Sequence, residues 1–189
     1  MPLLKEDRYT LADALTWDKR ERIELIDGAP VMMAPPLRLH QEIITALLAQ
    51  LYNYLEGKKV YPAPFAVRLF ERADDRPEDV DTMVGPDLSV VCDPGKLDDI
   101  GCKGAPDLII EVLSPSTQCH DRLTKYNLYE RAGVPEYWIV SPEERTVQVS
   151  TLVDGRYRVQ ELYTAEAVAK VNTLSGCFIE LSKVFPAEQ

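Results

Sequence analysis

Apolar positions recur every three to four residues along 43–55. Ile43, Ile44, Leu47, Leu48, Leu51 and Leu55 form one stripe, which predicts a core-facing helix over 40–56 ended by Gly57. Apolar runs at 60–69, 88–92, 108–113 and 136–140 read as strands. Asp27-Gly28 and Asp154-Gly155 predict hairpins that pair 22–26 with 30–33 and 147–152 with 157–162. Thr10 is placed to cap a short helix over 11–16, and a helix over 121–132 is closed by Gly133 with Pro135 shortly after. A short apolar segment at 176–179 ends the pattern. No internal repeat or linker interrupts it. This order predicts an α/β domain over 1–189, a mixed central sheet flanked by helices with added β-hairpins.

Three charges break the pattern. The run Leu108-Ile109-Ile110-Glu111-Val112-Leu113 carries one carboxylate on an otherwise apolar face, because alternate residues of a strand share a side. A charge there is costly unless it is paired or binds a metal. Asp87 opens the strand at 88–92, so pairing of the two strands can set it beside Glu111. Asp107 lies on the Glu111 face but about 13 Å away along the strand, too far to share one ion, and reads as a turn residue. On the helix at 121–132, with about 100° between residues, Asp121, Lys125, Leu128, Tyr129 and Ala132 fall on one side. Lys125 is therefore on the packed side, and Asp121 or Glu111 is its expected partner. A methionine at 125 is expected to leave the fold intact. Two carboxylates and a lysine converging on one place suggest a metal-dependent site that cuts phosphodiesters.

These positions resemble a known family. Ile23-Glu24-Leu25-Ile26-Asp27-Gly28, His40 at a helix start, Gly85-Pro86-Asp87-Leu88, the long block from Gly104 through Glu111 to Thr117, then Asp121, Lys125, Tyr129 and Gly133-Val134-Pro135-Glu136-Tyr137-Trp138-Ile139-Val140 resemble the Uma-two family of endonucleases. That family lies in the PD-(D/E)XK nuclease superfamily, with a restriction-endonuclease-like fold. The resemblance covers about 20–185. It implies that Asp87 and Glu111, with the backbone carbonyl of Val112, hold Mg²⁺, for which Mn²⁺ substitutes. The superfamily lysine, two residues after the second acid, falls on Leu113, a departure from the general pattern. Within the family it has moved to the helix, which is Lys125 here. Glu24 matches a further acidic residue, read as catalytic by holding a second ion or orienting Lys125, and His40 a histidine at the helix start, read as a substrate contact or proton carrier, with a buried, hydrogen-bonded histidine as the alternative. The implied activity is endonucleolytic hydrolysis of nucleic acid, DNA favoured over RNA. A catalytically silent binding or assembly module on the same fold is the alternative.

Composition narrows this reading. Forty-six per cent of 189 residues are apolar, which excludes a disordered chain. No apolar run is long enough to span a membrane, and the start of the chain lacks a signal-peptide pattern, so a cytoplasmic location is expected. Cys92, Cys102, Cys119 and Cys177 are scattered and read as free thiols; zinc at Cys119-His120 lacks ligand spacing. A net charge of −10 argues against a protein that coats nucleic acid. Glu71, Asp74, Asp75, Glu78, Asp79 and Asp81 read as one solvated acidic loop. Ser114, Ser116, His120 and Asp121 contain triad residue types without a nucleophile elbow, and read as turn and cap chemistry. Tyr137-Trp138 and the edges of the last hairpin predict a homodimer through the C-terminal half.

Overall fold

A computed structural model describes residues 8–18, 22–56, 59–114 and 120–186, without the side chains of His120 and Asp121. Gly57, Ser116, Cys119 and those two side chains, all given readings above, lie outside the described residues. The first element is α1 (Leu11–Ala14), where the Asp13 carboxylate accepts the Thr10 backbone N–H at 3.0 Å. The hairpin of β1 (Ile23–Ile26) and β2 (Ala29–Met32) follows. Asp27 and Gly28 turn it with φ of 48° and 78°, the left-handed pair a tight hairpin needs. Next comes α2 (Arg38–Tyr54), which begins two residues before the expected start.

The apolar run at 60–69 is not one strand. Pro62 and Pro64 interrupt it, because proline removes a ladder N–H. It splits into β3 (Val60–Pro62) and β4 (Ala66–Arg68). β4 leaves the main sheet and pairs in parallel with β6 (Gly101–Lys103), which no apolar run announced. Gly101 is required there: a Cβ at that position would lie 2.1 Å from the carbonyl oxygen of Ala66.

The main sheet is built from β3, β5 (Leu88–Val90), β7 (Leu108–Val112), β8 (Glu136–Ser141), β9 (Thr146–Val153) and β10 (Arg156–Thr164). Its order is β10-β9-β8-β7-β5-β3, mixed as expected. Only β7 and β8 run parallel within it, joined by the crossover that carries the lysine helix. That helix starts as a π-type turn, His120–Lys125, and continues as α3 (Tyr126–Ala132), closed by left-handed Gly133. A small pair, β11 (Val168–Lys170) and β12 (Phe178–Glu180), completes the chain.

The sheet buries a core on each face. Leu108, Ile110, Val112, Trp138 and Val140 meet Ile43, Ile44, Leu47 and Leu51 of α2 on one side. Ile109, Leu113, Tyr137 and Ile139 meet Leu128 and Tyr129 of α3 on the other. Residues 108–113 therefore read as a continuous apolar run because both faces are covered. No helix among the described residues is long and apolar enough to cross a membrane.

Candidate active site

Two strand pairings bring the acids together. β5 runs antiparallel to β7 with Leu88 opposite Ile110, so Asp87, just before β5, comes level with Glu111. The Asp87 backbone N–H points at Glu111 Oε2, 3.4 Å away. Asp87 Oδ2 accepts the Val112 N–H at 2.8 Å and lies 3.1 Å from His40 Nε2, which reaches it from the first turn of α2. No hydrogen-bond partner meets Asp87 Oδ1 among the described residues, and Asp87 lines a cleft of about 740 Å³.

Glu111 faces the α3 side of the sheet, as the alternation requires. Its Oε1 accepts from Lys125 Nζ at 2.9 Å and from the Tyr129 hydroxyl at 2.7 Å. Lys125 and Tyr129 are one helical turn apart and both fully buried. Lys125 Nζ also lies 3.0 Å from Glu24 Oε1, which takes the Gly85 amide at 2.9 Å. One ammonium thus joins two carboxylates from strands that do not pair with each other. A lysine with no exposed surface is stable as a charge only in such company. Burial, and then the neighbouring Glu111 charge, push the Tyr129 phenol well above its ordinary value, so it stays a proton donor to Glu111.

Glu24, His40, Asp87, Glu111 and Lys125 therefore gather in one place, at the end of the sheet beside the cleft. Glu111, one of the two expected partners, meets Lys125, joined by Glu24; the side chain of Asp121, the other, lies outside the described residues. Asp107 stands apart and accepts the Cys92 N–H at 2.7 Å, tying β5 to the start of β7. Tyr129 is the member that sequence reasoning left without a role; its i+4 spacing from Lys125 on the same buried face was the available signal. The acidic loop also needs correcting at one position. Glu71 is buried against Arg68 at 2.9 Å, and Arg68 reaches Asp98 at 2.8 Å, a structural network away from the five site residues.

No group of three or more His, Cys, Asp or Glu side chains able to hold a metal occurs among the described residues. The donors at hand are hard oxygens, the class that Mg²⁺ and Mn²⁺ select. An Asp87 oxygen without a partner among the described residues, on a side chain that lines the cleft, fits a divalent ion.

Relatives agree with this architecture. A solved structure described as a "putative nuclease belonging to DUF820" from Anabaena variabilis superposes with a TM-score of 0.69 at 20% identity, covering 93% of this chain and 97% of that one. At that identity the likeness shows the fold. An uncharacterized protein of Synechocystis sp. is 30% identical over 145 residues, 74% of this chain and 70% of its own length. The model of the Uma2 family, described as "Putative restriction endonuclease", matches residues 11–182. The chain belongs to the Uma2 family of putative restriction endonucleases.

Proposed function

We propose that the chain is a divalent-metal-dependent endonuclease that hydrolyses phosphodiester bonds at the Asp87–Glu111 site, with DNA preferred over RNA. The observation that carries this reading is the meeting of Asp87, Glu111 and Lys125, from two strands and a crossover helix, at the edge of the cleft.

In this reading Asp87, Glu111 and the Val112 carbonyl would hold Mg²⁺ or Mn²⁺, which supplies charge for the phosphate oxygens and acidity for a bound water. The protein residues prepare that arrangement. Val112 N–H and His40 both engage Asp87 Oδ2, which fixes the carboxylate and leaves Oδ1 for the ion. Of the readings open for His40, the hydrogen-bonded histidine at the helix start suits its contact with Asp87, and holding that carboxylate is the role we assign it. Lys125 has no exposed surface, so it acts through Glu111 and Glu24 rather than by touching the phosphate. With Tyr129 it holds Glu111 Oε1, which directs Oε2 toward Asp87. Glu24 balances the Lys125 charge and is tied to the cleft wall by Gly85.

A homodimer fits the same molecule. β10 is an outer strand of the main sheet, with Val159 and Leu162 exposed along it. Light scattering over a concentration series tests it; a mass near 21 kDa throughout overturns it. Free thiols at Cys92, Cys102 and Cys177 suit a reducing, cytoplasmic location.

The decisive experiment is cleavage of DNA and RNA with Mg²⁺ and with Mn²⁺, alongside calorimetric titration of Mn²⁺. Cleavage and Mn²⁺ binding by the native chain, both lost in Asp87→Asn, are expected. Equal Mn²⁺ binding by both proteins, or no cleavage of any nucleic acid, overturns the proposal.

A further inference from the structure

The cleft beside Asp87 is built for something other than a charged rail. Met33, Ile44, Leu48, Pro64, Phe65 and Ile100 supply apolar lining, and Arg22 is its one cation among the described residues. Duplex DNA is normally tracked by several Lys or Arg side chains on successive phosphates, and affinity scales with their number. With a net charge of −10 on the chain and one arginine among the described residues of the cleft, the described lining offers little of that attraction.

It has another. Phe65 lines the cleft, and its ring stacks on Tyr61 with centroids 4.4 Å apart and planes 11° from parallel. Both rings are half-buried against the core of the α3 face, so their orientation is set in advance. Exposed Gln41 and Thr45, four residues apart on α2, add polar groups to the same cleft. An aromatic ring held in place beside an acidic phosphodiester site is a platform for a base. A base in a regular duplex has both faces covered by its neighbours, whereas an unpaired base offers a face for stacking.

Resting on the nuclease reading, we infer that the substrate is nucleic acid with unpaired nucleotides (a single strand, loop or flap) whose base stacks at Phe65 while the adjoining phosphate lies at Asp87. Stacking is indifferent to base identity, so the preference is for strandedness rather than sequence.

The test uses the full chain with Mn²⁺ on a single-stranded oligonucleotide, its perfect duplex, and a hairpin with an unpaired loop. The single strand and the hairpin loop should be cut at least about 10-fold more efficiently than the duplex. Phe65→Leu, which keeps apolar bulk without the aromatic face, should raise KM for the single strand about 10-fold with kcat unchanged, and Phe65→Tyr should restore it. The native chain's single-strand to duplex ratio stands even if Phe65→Leu fails to fold. Equal or better cutting of the duplex, or an unchanged KM in a folded Phe65→Leu, overturns the inference while leaving the nuclease reading in place. No cleavage of any of the three overturns both.

Discussion

Glu111 and Glu136 are both buried carboxylates on neighbouring parallel strands, β7 and β8, yet they face opposite sides of the sheet and live in different company. Among the described residues, Glu136 is held by neutral donors alone. Its Oε1 takes Trp138 Nε1 at 2.8 Å, the Asn172 N–H at 3.0 Å and Asn172 Nδ2 at 3.1 Å; its Oε2 takes the Thr173 N–H at 2.7 Å and Thr173 Oγ1 at 2.9 Å. That cage pins the segment after β11 to the sheet. It meets no cation in the cage and does not line the cleft, so we assign it a structural role. Glu111 shares an ammonium with Glu24, accepts one phenol, and has its second oxygen beside Asp87. The difference teaches that burial alone does not single out a candidate catalytic carboxylate. A cation partner and an incompletely used neighbour at a cleft are what set Glu111 apart.

The contrast breaks most sharply under Glu111→Gln. Cleavage should fall on the order of 10³-fold, through loss of about 4 kcal/mol of transition-state stabilisation, with the folded fraction retained. Single-turnover kinetics beside a circular dichroism melt checks both; residual cleavage within ten-fold of native would place the site elsewhere.

Lys125→Met comes next. Periodicity alone suggested that methionine would be accommodated. With two carboxylates left facing each other in the interior, the expected outcome is instead a loss of about 3 kcal/mol, at the low end for a broken buried pair because Tyr129 still donates to Glu111. Urea titration measures it, and adding Glu24→Gln should recover part of the loss. An unchanged midpoint would mean the ammonium contributes nothing to the fold.

Glu136→Gln reverses the profile of Glu111→Gln. The amide keeps an oxygen for Trp138 and Asn172 but turns an N–H₂ toward two Thr173 donors. About 2 kcal/mol of stability should go, roughly 4–8 °C in Tm at this chain length, with cleavage per folded molecule unchanged. A drop in kcat without a drop in Tm would erase the distinction between the two acids.

The smallest expected effect is one of pH. Cys177 lies in the core on the Glu136 face, where burial first, and the Glu136 charge second, push its thiol from an ordinary 9.0 up to about 11. Burial likewise carries Cys102 to about 11 on the other face. The unfolded chain releases these protons at lower pH than the folded one. The protection they give is therefore complete below pH 9 and lost as pH rises to about 11. Denaturant midpoints should fall across that window, and Cys177→Ala should flatten the fall more than Glu136→Gln does, since burial outweighs the carboxylate. An identical slope in native and Cys177→Ala would remove the thiol from the account.

Much of this was legible in the chain. Hairpin turns were read from Asp-Gly pairs, the α2 stripe from its period, and the exceptional status of Glu111 from one charge in an apolar run. These are local signals, carried by φ preferences and by which side of a strand or helix a residue must face. Lys125 was placed on a packed side by the same periodicity, and Asp87 beside Glu111 by assuming that their strands pair. What the chain could not show was the choice of partners. That Lys125 joins Glu24 to Glu111, that Tyr129 donates to the same Glu111 oxygen, that His40 meets Asp87 across 47 residues, and that Arg68 buries Glu71 all depend on which elements the tertiary fold sets side by side. The same holds for the two glutamates. Each opens or interrupts an apolar strand in the sequence, and only the sheet's two covered faces, one walled by α2 and the Asn172–Thr173 segment, the other by α3, decided which is caged by neutral donors and which meets Lys125 beside the cleft. A side chain's face is fixed by its own backbone, whereas its company is fixed by packing between segments far apart in the chain.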